Sequence, residues 1–112
     1  GVYPKVFRAP GLSVSDTMHA TIPLPIFSGS LGLADWDESV SVEDRIAAMR
    51  RNIVDGRIIL IHDLTKNATA LETVLPEMIE QGYTVVTISE LYTLRGYNPK
   101  AHSNVQYGSF NK

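Results

Sequence analysis

The stretch GRIILIHD, Gly56 to Asp63, constrains this chain more than any other. Ile58, Ile59, Leu60 and Ile61 follow one another without a polar break. A strand of that kind has no face to give to water, so it belongs in a parallel sheet with both faces covered. The run then stops on His62 and Asp63. Parallel α/β sheets gather ligands at the carboxyl ends of their strands. A histidine there, beside an acid, is a place to tune an imidazole for proton transfer. A bland reading also fits His62, as the cap of a buried strand that hydrogen-bonds to backbone.

The flanking elements support a parallel sheet. Short strands are predicted over Lys5 to Phe7 and Pro25 to Ser30. A helix is predicted from Ser41 to Val54. Ser41 can cap it, and Glu43 and Asp44 suit the positive end of the helix dipole. Val42, Ile46, Met49 and Ile53 recur at helical spacing and form one apolar stripe. After the strand at 57–62, DLTKNA reads as a loop and a second helix is expected from about Thr69 to Gln81. Leu71, Val74, Leu75, Met78 and Ile79 are its expected core face, and Gly82 suits the position past its end. Pro76 conflicts with this helix and should kink or restart it. YTVVTI reads as another strand and SELYTL as a short helical turn. From Gly96 the chain is polar and reads as a loosely packed tail. The alternation of strand and helix gives an α/β class with mostly parallel strands.

Length and charge narrow the functions. The 112 residues suffice for one small domain with a core. A net charge of −2 with scattered basic residues gives no phosphate-tracking surface, so no nucleic-acid partner is expected. The chain has no cysteine, which excludes disulfides and thiolate metal sites. No apolar run approaches membrane-spanning length and no signal peptide opens the chain, so no membrane partner is expected.

Other residues admit two readings each. Arg8 follows an apolar strand and fits either a carboxylate partner or a snorkelling surface position. Gly11 offers an amide that could serve an oxyanion, or marks a turn after Pro10. Trp36 lies between Asp35 and Asp37, too polar a setting for a core residue. It fits an aromatic platform for a sugar ring, or a partly buried cover over a sheet end. His19 and His102 lack metal-spaced partners and are read as non-functional. No GxSxG, phosphate loop or HExxH pattern occurs.

In order, FRAPG, GLADW, DGRIILIHD and TVLPEMIEQGYTVVTISELY resemble the polysaccharide deacetylases, the NodB-homology domain of carbohydrate esterase family four. The resemblance runs from about Val6 to Tyr92. It implies the C-terminal portion of a distorted (β/α) barrel over residues 1–95, with residues 96–112 as a polar tail. It also accounts for Pro76, through the family's central Leu-Pro pair. Arg8, Ala9 and Pro10 match the family's Arg-x-Pro loop, whose arginine holds the catalytic carboxylate. The residue that follows supplies an oxyanion amide and is usually aromatic; here it is Gly11. Asp35 and Trp36 match an Asp-Trp pair, the acid tuning the catalytic histidine and the indole lining the substrate groove. The acid often found three residues before Asp35 is Gly32 here. Leu60 and His62 match Leu-x-His, giving a wall for the acetyl methyl and the general acid. The resemblance implies a divalent metal, zinc or cobalt-like, with no ligand to it in this chain. The family's Asp-Asp pair and HxxxH ligands are expected from an N-terminal part of the same domain, as a separate chain or fragment. The substrate implied is an acetylated polysaccharide, O-acetyl xylan ahead of an N-acetylglucosamine polymer, and the location secreted or cell-surface. The alternative is a non-catalytic carbohydrate-binding module with a degenerate deacetylase site.

Overall fold

The computed structural model describes residues 2–110. They form two compact units: one combines the chain up to Ser28 with Val86–Ser109, the other combines Gly29–Val85 with Phe110.

The first unit contains β1 (Ile26–Phe27), β2 (Gln106–Tyr107), α1 (Asp16–Thr21) and α4 (Ile88–Leu94). β1 and β2 run parallel with Ile26 opposite Gln106 and Phe27 opposite Tyr107, and Phe7 bridges Ile26 in parallel. The segment beyond Gly96, expected to be loosely packed, therefore contributes a strand. It is fastened by aromatic packing. Phe27 meets Tyr92 edge-on with centroids 5.0 Å apart, and lies 5.4 Å from Tyr107. Such offset ring pairs add to the burial of the rings themselves. The Tyr92 hydroxyl donates to the Gly108 carbonyl at 2.6 Å. Thr87 and Glu90 form a capping box that starts α4 where the sequence placed a helical turn. α1 was not expected, although Ser15 accepts from the Met18 amide as an N-cap does.

The second unit is built on α2 (Val42–Arg51) and α3 (Thr65–Glu80). Ser41 accepts from the Asp44 amide at 3.1 Å and starts α2 as expected. Leu31, Ala48, Met49, Ala70 and Val74 form the core, with Val42, Ile46, Ile53, Ile61 and Leu71 packed on it. The whole α2 stripe read from the sequence is thus at work. α3 differs from its expectation in three ways. It starts four residues earlier, at Thr65. It passes through Pro76 as one helix; the missing proline donor falls on an exposed stretch, where water can satisfy the freed Glu72 carbonyl. Its buried face is Asn67, Ala70 and Val74, spaced three and four apart, while Leu75 and Ile79 are 38% and 65% exposed. Leu75 and Ile79 belong to the neighbouring row of the helix surface, which the core does not reach.

The run 57–62 also departs from expectation. Among the described residues it makes no regular strand ladder, and neither does 83–87. Ser30 N–H meets the Ile58 carbonyl at 3.5 Å, the long limit of a hydrogen bond. Ile61 reaches the core, but Ile59 is 38% exposed, so the run is not covered on both faces by this unit. Close approach of the two segments depends on Gly29. A Cβ there would lie 2.9 Å from Ile58 Cγ2, 3.2 Å from the Ile58 carbonyl oxygen and 3.4 Å from Leu60 Cβ. Gly29→Val is expected to cost about 2 kcal/mol by forcing the segment that carries Leu60 and His62 outward. Urea denaturation measures this; an unchanged midpoint would show that the contact is slack.

Candidate active site

The second unit brings together residues far apart in sequence around one carboxylate. Asp35 lies on the turn before α2 and is 2% exposed. His62 lies at the end of the apolar run, with its side chain 46% exposed. The His62 backbone amide donates to Asp35 Oδ2 at 2.6 Å, and His62 Nδ1 is 3.1 Å from both Asp35 oxygens. An ionised carboxylate only accepts, so Nδ1 carries the proton and Nε2, on the opposite edge of the ring, is left for a ligand. Asn67, in the first turn of α3, donates from Nδ2 to Asp35 Oδ2 at 2.9 Å and to the His62 carbonyl at 2.8 Å.

Arg45, on α2, is completely buried. Its Nη1 donates to the Asp35 carbonyl and, at 2.8 Å, to Asn67 Oδ1. Nη2 donates to the Asp37 carbonyl at 2.6 Å and Nε to the Val40 carbonyl at 3.1 Å. The guanidinium fork therefore wraps the loop from Asp35 to Val40 around itself. Asp37 tightens the same loop by accepting the Ser39 amide and hydroxyl at 2.9 and 2.7 Å.

Burial pushes the Asp35 carboxyl upward, but the amide and ring of His62 and the Asn67 amine outweigh it, and its pKa ends below the ordinary value. A lowered folded-state pKa gives stability that is present above the unfolded value of 3.8 and is lost as pH falls through the folded value. Asp35→Asn is therefore expected to flatten the acid limb of stability below about pH 4. Denaturant titrations at a series of acid pH values give the slope; an unaltered slope would remove Asp35 from the linkage.

The sequence-predicted residues divide between the units. Asp35, Trp36, Leu60 and His62 belong to the second. Trp36 is 63% exposed beside Asp35, so it does not cover a sheet end as a buried residue. Leu60 is half-buried behind Gly29. Arg8 and Gly11 belong to the first unit. Arg8 is exposed and donates to the Ala9 carbonyl at 3.4 Å, and among the described residues no carboxylate pairs with it. Gly11 lies in a short turn, Pro10–Leu12, at φ 69°. Leu12 follows at φ 60°, a left-handed conformation that a leucine rarely takes. Arg45 and Asn67 escaped the sequence reading. A lone arginine in a helix and an asparagine in a loop-like run carry no motif, and only their burial marks them.

The described residues do not fit a metal. Among those described, no three His, Cys, Asp or Glu side chains cluster as ligands. Asp35 and His62 spend their facing atoms on each other. Nor is any described helix long and apolar enough to cross a membrane.

No protein-family model matches the chain. It is 42% identical over 111 residues to a bifunctional xylanase/deacetylase of Pseudobutyrivibrio xylanivorans, covering 96% of this chain and 17% of that protein. It is 36% identical over 95 residues to the peptidoglycan-N-acetylglucosamine deacetylase PgdA of Listeria monocytogenes, covering 82% of this chain and 20% of that protein. Its fold superposes with a TM-score of 0.83 on a family 4 acetyl xylan esterase from Clostridium thermocellum in complex with a cobalt ion. That match, at 33% identity, covers 99% of this chain and 56% of the esterase. The chain thus spans a fifth or less of these two curated relatives and about half of the solved esterase. In sequence and in fold it corresponds to a C-terminal part of the polysaccharide deacetylase domain of carbohydrate esterase family four.

Proposed function

We propose that this chain supplies the proton donor and part of the substrate groove to a hydrolase that removes acetyl groups from a polysaccharide. The observation that carries the reading is the His62–Asp35 pair. Its buried carboxylate holds Nδ1 and leaves Nε2 on a half-exposed ring. Protonated His62 donates from Nε2 to the sugar oxygen, or to nitrogen in an amide, as its bond to the acetyl carbon breaks. Asp35 stabilises the imidazolium beforehand and orients it throughout. Water is the other reactant, and acetate and the free hydroxyl or amine are the products.

In this reading Trp36 stacks on a sugar ring and Leu60 walls the acetyl methyl. The Gly11 amide serves the oxyanion, and Arg8 holds the carboxylate that deprotonates water. That carboxylate, and the ligands for a divalent metal that would polarise the acetyl carbonyl, would come from an N-terminal part of the domain. O-acetylated xylan is favoured over an N-acetylglucosamine polymer, because the xylanase/deacetylase is the more similar of the two curated relatives described and the solved neighbour is an acetyl xylan esterase. A secreted or cell-surface location is part of the same proposal, since polymers of this kind lie outside the cell.

The test is acetate release by the full protein from acetylated xylan and from N-acetylglucosamine oligomers, with a divalent cation supplied. Release from xylan supports the reading as stated. Release from the amide alone changes the substrate. Saturable glycan binding that needs Trp36, with no acetate from either polymer, replaces the enzyme by a binding module.

A further inference from the structure

We infer that Asn67, oriented by Arg45, is the positioning residue that fixes which imidazole nitrogen of His62 is offered to substrate. The inference deepens the reading of His62 as proton donor and rests on it for its catalytic meaning.

Arg45 has no acceptor, so the atom of Asn67 that faces it at 2.8 Å must be the carboxamide oxygen. The amine is then forced to the other side. There it meets two groups that only accept, Asp35 Oδ2 at 2.9 Å and the His62 carbonyl at 2.8 Å. Reversing the amide would set its oxygen against both and its amine against a cation. Asn67 is 1% exposed and Arg45 wholly buried, so no water stands by to soften the error. The cation thus dictates the amide, and the amide dictates the carboxylate. With Oδ2 held by Asn67 and by the His62 backbone amide, the carboxylate plane is fixed and both oxygens lie 3.1 Å from Nδ1. The same amine ties down the His62 carbonyl, so acid and ring are held from one point on α3. The charged groups around the imidazole are Asp35, which touches it, Arg45, reached through Asn67, and Asp63, next in the chain.

Neutral side chains are needed at position 67 for this to work. A carboxylate would satisfy Arg45 but oppose Asp35. An apolar residue would leave Asp35 Oδ2 held by the His62 backbone amide alone, and the carboxylate plane less firmly fixed. The consequence is read on His62 itself, by long-range proton–nitrogen NMR of the full protein with His62 neutral. The parent is expected to hold the proton on Nδ1. In Asn67→Leu the ratio of Nδ1–H to Nε2–H is expected to fall about tenfold, the equivalent of one hydrogen bond. Asn67→Asp keeps the shape and the acceptor for Arg45, so it serves if the leucine variant does not fold, and the same shift is expected. A merely structural Asn67 would lower the melting temperature and leave the tautomer ratio of the folded protein unchanged in both variants, and that result overturns the inference. The readout is independent of acetate release. A shifted tautomer in the variants, where the parent itself releases no acetate from either polymer, refutes the deacetylase reading and leaves the positioning role. Acetate release with an unmoved tautomer does the reverse.

Discussion

His62→Ala is expected to lower kcat for acetate release by about 10²–10⁴-fold, the usual worth of a positioned acid. KM should change little, because in the proposed mechanism the imidazole acts on the leaving atom while Trp36 and Leu60 hold the sugar. The fold should survive. The side chain is 46% exposed, and the bond to Asp35 Oδ2 that comes from the His62 backbone remains after truncation. Asp35→Asn should lower kcat as well, by about 10²-fold or more, since its amine can occupy the place of an acceptor and favour the wrong imidazole tautomer. Initial rates on acetylated xylan, with circular dichroism as the control for folding, decide the matter. Full activity in a folded His62→Ala protein would take the residue out of the mechanism and with it the reading of this site.

Arg45→Met carries the largest expected effect on stability. The substitution keeps the alkyl stem but removes the fork that satisfies three loop carbonyls and the Asn67 oxygen. Each buried acceptor left unpaired costs about 1–3 kcal/mol, and a loop free to relax toward water recovers part of that. A net loss of about 3–5 kcal/mol is expected, a large part of the stability of a chain this size. Arg45→Lys should fall between parent and Met. Its ammonium keeps the charge but cannot reach three carbonyls that a planar guanidinium spans. Urea denaturation of the three proteins measures the order. A methionine variant as stable as the parent would mean that the loop from Asp35 to Val40 holds itself, through Asp37 and Ser39.

Arg45 also marks where local reading stops. The stripe of Val42, Ile46, Met49 and Ile53 was legible because a 3.6-residue period repeats within one helix, and the core confirms it. Arg45 lies three residues after Val42 and four before Met49, at the edge of that stripe, but spacing alone does not say that a charged residue there is buried. It is buried because the loop before the helix folds over it, and periodicity carries no record of a loop. Asn67 was misread for a related reason. DLTKNA has turn composition, and Leu64 gives α3 no side-chain cap, so nothing local announces a helix start at Thr65. Gln106 and Tyr107 form a strand because Ile26 and Phe27 lie beside them, some eighty residues away in sequence. A two-residue parallel pair has no signature of its own.

The chemistry of the site divides along the same line. Sequence determined the kinds of group: an imidazole after an apolar run, an Asp-Trp pair, an Arg-x-Pro loop, and the order in which they occur. Those follow from covalent neighbours and short-range pattern. Tertiary structure decided that Asp35 would face His62 across 27 residues, that its charge would be held by backbone and amide donors, and that a buried cation would set the orientation of the Asn67 amide between α2 and Asp35. Hydrogen-bond direction depends on which donors and acceptors are brought within about 3 Å, and only the folded chain brings them there.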